Sequence, residues 1–330
     1  MAVNTAIEVV GIDWGTTHRR AYALDGAGHC IAELADSEGA LACKGRFDAS
    51  LRALLDTLQA RPRAIILTGM VGSALGWQVV PYVDGSVPLA ALGLHMAQVG
   101  DAAALTDPTH GPKAASIAIV PGYCVRDAAA QPDVMRGEEA QLLGAHCLGH
   151  SEGWFVLPGT HSKWVELRAG RVVQLRTYMT GELFDLLGAH GTLAAAAGAT
   201  AAVWDAAAFA LGVRAAQTPQ GGGALSHQLF ACRARVVSGD MPASSSRSYL
   251  SGLLIGTEMQ DVLRDATTAN SPGAATDTSP GATFKLIGSP ALATHYQAAA
   301  AQLGLQFEVL DARAAFVAAI HHLDTHRIAP

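Results

Sequence analysis

Clustered positive charge is missing from this chain, and that absence narrows its partners first. Only 15% of the 330 residues are charged, 22 Lys and Arg stand against 28 Asp and Glu, and no segment gathers a basic stripe. Nucleic acid and anionic membrane both demand such clusters, because their phosphates must be met by cations. Cysteine is sparse too: Cys30, Cys43, Cys124, Cys147 and Cys232 form an odd, scattered set without a C-x-x-C spacing. A disulfide framework or zinc ribbon is therefore not expected, and a reducing cytoplasm is. The least polar long stretch, 193–213, is mostly alanine and carries Asp205, so it reads as an ordinary helix rather than a membrane span. The first strand starts within ten residues, with no basic segment and apolar core before it, so no secretory signal is expected.

Several familiar motifs are absent as well. There is no G-x-x-x-x-G-K-[ST] loop and no G-x-G-x-x-G after the first strand, which removes the commonest phosphate-binding turns. No H-E-x-x-H or Ser-x-x-Lys offers a hydrolase. Half of the composition is apolar, enough to bury the cores of two domains of ordinary size.

What is present is a pattern written twice. Val9-Val10-Gly11-Ile12-Asp13-Trp14 reads as a strand that meets Gly15-Thr16-Thr17 and returns through Arg20–Leu24 and Cys30–Leu34. Trp154-Phe155-Val156-Leu157 meets Pro158-Gly159-Thr160-His161-Ser162 and returns through Lys163–Leu167 and Arg171–Leu175. Phosphate oxygens need backbone N–H groups around a concave turn, and glycine lets the backbone approach without a Cβ in the way. Threonine and serine hydroxyls add donors, and a carboxylate can hold Mg²⁺ through water. Asp13, Gly15, Thr16 and Thr17 supply that chemistry in the first copy; Gly159, Thr160, Ser162 and Lys163 do so in the second. Aligning Gly15 with Gly159 sets Asp13 against Leu157, so only one copy keeps a carboxylate. The expectation is two related lobes holding a nucleotide's phosphates between them, although a Gly-Thr turn can also simply join strands.

Between and beyond the hairpins, strands and helices alternate, which is the signature of an α/β protein. Phe47–Gln59 has helical spacing and Ala64–Leu67 reads as a buried strand ending in the small-residue loop Thr68–Ser73. Asp133–Gly144 reads as a polar loop feeding a helix, Thr180 as the N-cap of another, Ser248–Leu263 as a third, and Ala266–Ala282 as a loop. Arg136-Gly137-Glu138-Glu139 is the densest candidate for aligning a hydroxyl proton, and Arg136 could grip a substrate carboxylate with two parallel hydrogen bonds. Acidic residues in a first helical turn also complement the helix dipole, which favours their ionised form. Asp133 is held in reserve. Trp77 and Tyr82, following the Gly69–Ser73 loop, could wall a sugar site or simply pack. His146 and His150, at i and i+4, have no third ligand in view.

Six segments in order, taken together, are specific: Gly11–Thr17, Thr68–Ser73 with Gly76-Trp77, Pro132–Glu139, Leu157–Trp164, Met179–Phe184 and Leu286–Leu292. Their combination resembles the 2-oxo-3-deoxygalactonate kinase (2-dehydro-3-deoxygalactonokinase) family, over nearly the whole chain. The resemblance implies the actin-like ATPase superfamily: two ribonuclease-H-like lobes with mixed sheets flanked by helices around a central cleft, divided as 1–152 and 153–330, with the closing helix able to pack back on the first lobe. It also implies ATP and Mg²⁺ as cofactors, and phosphorylation of the 6-hydroxyl of 2-dehydro-3-deoxy-D-galactonate in galactonate catabolism. By the same resemblance Asp13 holds Mg²⁺, and Glu138 or Glu139 orients the hydroxyl. Gly15, Thr16 and Thr17 with Gly159, Thr160, His161, Ser162 and Lys163 would bind phosphates and Gly288 and Ser289 would lie at the adenosine; the resemblance carries over no substrate residue, and Gly69, Ser73, Trp77 and Arg136 are the substrate-site candidates from their own chemistry and position. Partners would be a sugar acid and a nucleotide, with no nucleic acid or membrane; a homodimer is allowed. The alternatives are an exopolyphosphatase-type phosphohydrolase and a kinase for another sugar acid.

Overall fold

The computed structural model describes residues 6–99, 115–198, 203–217, 224–268 and 283–327. They fall into two compact units. The first takes the chain up to Glu152, Glu166–Leu175 and the segment from Asp311; the second takes Gly153–Val165 and Arg176–Leu310.

The first unit is built on β1 (Val9–Trp14), β2 (Arg19–Leu24), β3 (Cys30–Asp36), α1 (Phe47–Thr57), β4 (Ala64–Gly69), β5 (Val83–Asp84), β6 (Ala97–Gln98), β7 (Ser116–Ile119), β8 (Tyr123–Arg126), β9 (Pro132–Met135) and α2 (Glu138–Cys147). Its main sheet runs β3-β2-β1-β4-β7-β6. β1 to β3 are antiparallel, while β4 lies parallel to β1 and β7 parallel to β4. Successive side chains of a strand point to opposite faces. On β1, Val10, Ile12 and Trp14 join Phe47, Leu51 and Leu54 of α1 in one buried cluster, with Trp14 edge-on to Phe47 at 5.4 Å. Gly11 and Asp13 belong to the other face. There the last helix of the chain, Ala312–Thr325, presses Ile320 against Gly11, where any Cβ would overlap it. That helix also packs closely on α2: a Cβ at Gly144 would overlap the Ala315 carbonyl oxygen. Asp13 and the start of α2 are thus brought to one face of the sheet.

The expected polar loop before α2 is partly a strand. β9 pairs antiparallel with β8, and β5 completes a small third sheet. The strand has formed because the turn ahead of it closes on Asp127, whose Oδ1 accepts the N–H groups of Ala129 and Gln131.

The scheme repeats with β10 (Gly153–Leu157), β11 (Ser162–Arg168), β12 (Arg171–Tyr178), α3 (Thr180–Ala189), α4 (Gly191–Ala197), α5 (Ala206–Ala216), α6 (Leu225–Val237), α7 (Ser246–Thr268), β13 (Thr283–Ile287), α8 (Pro290–Gln302) and β14 (Gln306–Leu310), all in the second unit except the Glu166–Leu175 end of the β11–β12 hairpin; the last helix, described above, is α9. This sheet runs β12-β11-β10-β13-β14, with β13 parallel to β10 and β14 parallel to β13. Counted in chain order, both sheets begin third, second, first, fourth, and the first sheet then continues through β7 to an extra antiparallel edge strand, β6. The doubled motif in the sequence is a doubled topology, and the class is α/β with mixed sheets.

Three local expectations change. Thr180 is the first residue of α3 rather than its cap, which is Met179. α2 ends at Cys147, so His146 and His150 do not share a helical face; His146 meets Ser151 Oγ at 2.8 Å instead. α7 continues to Thr268, and the rest of the expected loop, 269–282, lies outside the described residues. No described helix is long and apolar enough to cross a membrane.

Candidate active site

In the first unit the candidate residues converge on the ends of β1 and β4. Asp13 pairs in register with Thr68, and Trp14 with Gly69. Gly69 turns the chain with φ 85°, and a Cβ there would sit 3.5 Å from Asp13 Oδ1 and closer still to the Trp14 carbonyl. Gly137 (φ 111°), just before α2, would bring its own Cβ to 3.3 Å from Gly69 Cα. Two left-handed glycines therefore let two turns meet beside one carboxylate, an approach that a side chain would block.

The two glutamates of α2 are held differently. Glu139 is fully buried; its Oε2 accepts the Gly137 N–H at 2.6 Å, while its Oε1 has no partner. Burial, then the neighbouring Glu138 charge, pushes its carboxyl up to about 8, so burial outweighs the helix dipole expected to keep it ionised. Glu138 is half-buried and its Oε2 accepts the Arg136 N–H at 3.1 Å. Asp13 is raised from 3.8 to about 6, chiefly by burial; Arg20 opposes the rise and Glu138 adds to it. Asp13 and Glu138 consequently sense each other's charge.

The remaining first-unit candidates are tied into the scaffold. Arg136 donates through Nη2 to the Val80 carbonyl at 2.6 Å and lies over the Tyr82 ring at 4.4 Å. Its Nε and Nη1 are buried without a hydrogen-bond partner. Trp77 stacks on Phe47 at 6.1 Å and packs against the core. Ser73 Oγ donates to the Met70 carbonyl at 2.8 Å and accepts from Leu75 N–H. At the hairpin tip Gly15 N–H donates to His18 O, while Ala40 and Leu41 N–H groups take the carbonyls of Gly15 and Thr16. Thr16 and Thr17 are exposed. Asp133, on β9, accepts the N–H of Val134.

In the second unit the hairpin tip Gly159-Thr160-His161 is exposed. The start of α3 braces it: Glu182 N–H donates to the Thr160 carbonyl at 2.9 Å, and the His161 ring meets Glu182 Oε2 at 2.6 Å. Ser162 and Lys163 turn inward. Lys163 Nζ donates to Thr177 Oγ1 at 3.0 Å, and the buried Ser162 hydroxyl donates to Glu258 Oε1 at 3.1 Å. Gly288 closes β13 against Pro158, and Ser289 caps α8 through Leu292 N–H. Beside these lies an apolar cavity of about 290 Å³, whose walls include Gly159, Gly181, Ile255, Leu292 and Tyr296. Trp204 stacks on His295 at 4.3 Å on its rim.

Sequence reasoning did not find this cavity or Glu258. The one available signal was a lone carboxylate on the buried stripe Ile255, Glu258, Met259 and Val262, at helical spacing.

The profile of the 2-keto-3-deoxy-galactonokinase family matches residues 13–323. The chain belongs to that family. Among curated proteins it is similar to the 2-dehydro-3-deoxygalactonokinase of Escherichia coli, 36% identical over 252 residues, 76% of this chain and 78% of the relative. A Rhizobium meliloti protein described by the same activity is 34% identical over 313 residues, 94% of each chain. A crystal structure described as a 2-dehydro-3-deoxygalactonokinase protein from Sinorhizobium meliloti superimposes with a TM-score of 0.79 at 32% identity, covering 96% of this chain and 95% of that one. Membership in the 2-keto-3-deoxy-galactonokinase family makes this chain a sugar-acid kinase. The match starts at Asp13 and extends beyond Ser289, so the candidate site residues of both units lie inside it.

Proposed function

We propose that the protein transfers the γ-phosphoryl group of ATP to the 6-hydroxyl of 2-dehydro-3-deoxy-D-galactonate, giving 2-dehydro-3-deoxy-6-phosphogalactonate and ADP in galactonate catabolism. The observation that carries this reading, within a family named for that activity, is the half-buried Glu138 at the meeting of the Gly69 and Gly137 turns, within the field of Asp13.

Phosphoryl transfer asks a protein mainly to position groups and to stabilise charge. The substrate hydroxyl oxygen forms the new bond to the γ-phosphorus, and the bond to the bridging oxygen breaks as ADP leaves with its electron pair. Glu138 aligns the hydroxyl and receives its proton. Glu139 does not touch substrate: it is sealed in, and it holds the Gly137 turn open through that residue's N–H. The exposed hairpin tips at Gly15–Thr17 and Gly159–His161 offer backbone and hydroxyl donors to phosphate oxygens. Arg136 is the cation beside the Gly137 turn; its Nη2 is held by the Val80 carbonyl and its other donors are buried, so it meets the substrate carboxylate only by turning the guanidinium outward. Gly69, Ser73 and Trp77 shape the loop beside it. The cavity bordered by Gly159 and Leu292, next to Gly288 and Ser289, takes the adenosine.

The donor set suits Mg²⁺. Asp13 is a hard oxygen ligand whose charge is disfavoured by burial and by Glu138, and a cation would relieve both. No cluster of three or more His, Cys, Asp or Glu able to hold a metal occurs among the described residues. That fits a small cation keeping most of its water and using one carboxylate with the phosphates. When bound it supplies charge neutralisation at the phosphates. All five cysteines are free thiols, in keeping with a cytoplasmic enzyme.

The test is ADP release with 2-dehydro-3-deoxygalactonate, its gluconate epimer, neutral hexoses, or no acceptor. Turnover should require a sugar acid and favour the galactonate. Phosphate release without any acceptor, or turnover only with neutral sugars, would overturn the reading.

A further inference from the structure

Glu258 is a buried carboxylate on the long helix α7, and three elements of the second unit meet on it. Its Oε1 accepts from Ser162 Oγ at 3.1 Å and from Trp164 Nε1 at 3.3 Å, both at the start of β11. Its Oε2 accepts from Thr180 Oγ1, the first residue of α3. The Ser162 hydroxyl, while donating to Glu258, accepts from Tyr296 Oη of α8 at 3.0 Å. Glu258 therefore ties the base of the hairpin, the start of α3 and the middle of α8 to one side chain.

Two of those ties lead directly to the ligand surfaces. Thr180 and Tyr296 are walls of the apolar cavity, together with Gly159 and Gly181. Gly181 lies so close to the Gly159 carbonyl oxygen that a Cβ would overlap it, and Glu182 N–H holds the Thr160 carbonyl. A shift of α3 would move the hairpin tip with it.

We infer that Glu258 is the positioning residue for nucleotide: it fixes the hairpin tip and the cavity walls in the arrangement that receives ATP, without touching it. This rests on reading that hairpin and cavity as the nucleotide site. Such a group acts by locking the side chains that meet ligand, and its loss loosens geometry rather than removing a contact. An effect on one substrate alone separates this role from general support of the fold. A buried carboxylate that merely holds the unit together would, when removed, weaken both substrates in step with the loss of stability.

The experiment is steady-state kinetics and calorimetric ATP titration on the whole chain, with Glu258→Ala and Glu258→Gln. Glu258→Ala should raise the KM for ATP about tenfold, in the range of buried donors left unmet, while the KM for the sugar acid stays within about twofold of wild type. Glu258→Gln should recover most of the loss. Its amide oxygen still accepts from Ser162 and Trp164, and its amide N–H donates to Thr180 Oγ1. An unchanged ATP KM in folded Glu258→Ala, or both KM values rising together as melting temperature falls, overturns the inference. If the alanine variant does not fold, Thr180→Val and Tyr296→Phe each cut one tie. Each should raise the ATP KM with the sugar-acid KM unmoved, and no change in either variant overturns it. A wild-type protein without sugar-acid turnover would sink the kinase reading alone, because the calorimetric loss of ATP affinity in the variants can still be read.

Discussion

Asp13, Glu138 and Glu139 are three carboxylates with three environments, and each environment assigns a measurable behaviour. Glu138→Gln should lower kcat by about 10²–10⁴, the usual cost of a lost acid–base group, with little change in either KM. Glu139→Gln should keep turnover within a few-fold, because an amide oxygen can still accept the Gly137 N–H. If the glutamine at 139 proves the more damaging of the two, the assignment is reversed. Asp13 adds a pH test. Its folded carboxyl is raised from 3.8 to about 6, so the folded chain binds that proton more tightly than the unfolded one. Its contribution to stability is complete below about pH 4 and is lost as pH rises through about 6. Asp13→Asn, in metal-free buffer, should therefore be more stable than wild type at pH 7.5, by up to about 3 kcal/mol. The gap should close by pH 4, and the variant should be inactive at every pH. Urea denaturation at both pH values checks the sign; a variant less stable than wild type at pH 7.5 would refute it.

Helices α2 and α9 show what an element contributes to a site it only partly forms. The first turn of α2 carries both glutamates, but its placement is set by Gly144, seven residues from the N-cap Gly137, against the Ala315 carbonyl of α9. Gly144→Val would force the two helices apart and should cost about 1–3 kcal/mol as overpacking. It should also lower kcat, since displacing α2 displaces Glu138. A thermal melt together with kinetics distinguishes this from a purely local effect: loss of stability with normal kcat would show that the first turn is anchored elsewhere. The same level explains two local surprises. Thr180 has a good N-cap side chain, yet its hydroxyl is drawn to Glu258, a buried acceptor whose demand exceeds that of a solvent-facing cap. Trp77 and Tyr82 looked alike as aromatics after a glycine loop. Trp77 stacks on Phe47, whereas Tyr82 lies under the Arg136 guanidinium, a difference that only the partner rings and cations create.

For the whole molecule, ligand binding should appear as stability. ATP with Mg²⁺ at a hundredfold excess over its dissociation constant should stabilise the native chain by about 2.7 kcal/mol, seen as a rise in melting temperature. Chelating the metal should shrink that rise, because the phosphates would then face Asp13 and Glu138 without a neutralising cation. An equal shift with and without chelator would remove the metal from Asp13. The chain's own residues made the doubled architecture legible: apolar runs, Gly-Thr turns and the asymmetry of Asp13 against Leu157 are neighbours in sequence, and local stereochemistry writes them into strands and hairpins. Six short segments in order were enough to point to the family. The tertiary structure alone decided which carboxylate is sealed in and which is only half-buried, which hairpin residues turn inward, and where the apolar cavity lies. Those outcomes depend on burial and on partners far away along the chain. Ser162 and Glu258, 96 residues apart, are joined by a hydrogen bond that no local pattern encodes. Desolvation and long-range contact are properties of the packed chain, and they decide which side chains are buried and what each one is bonded to.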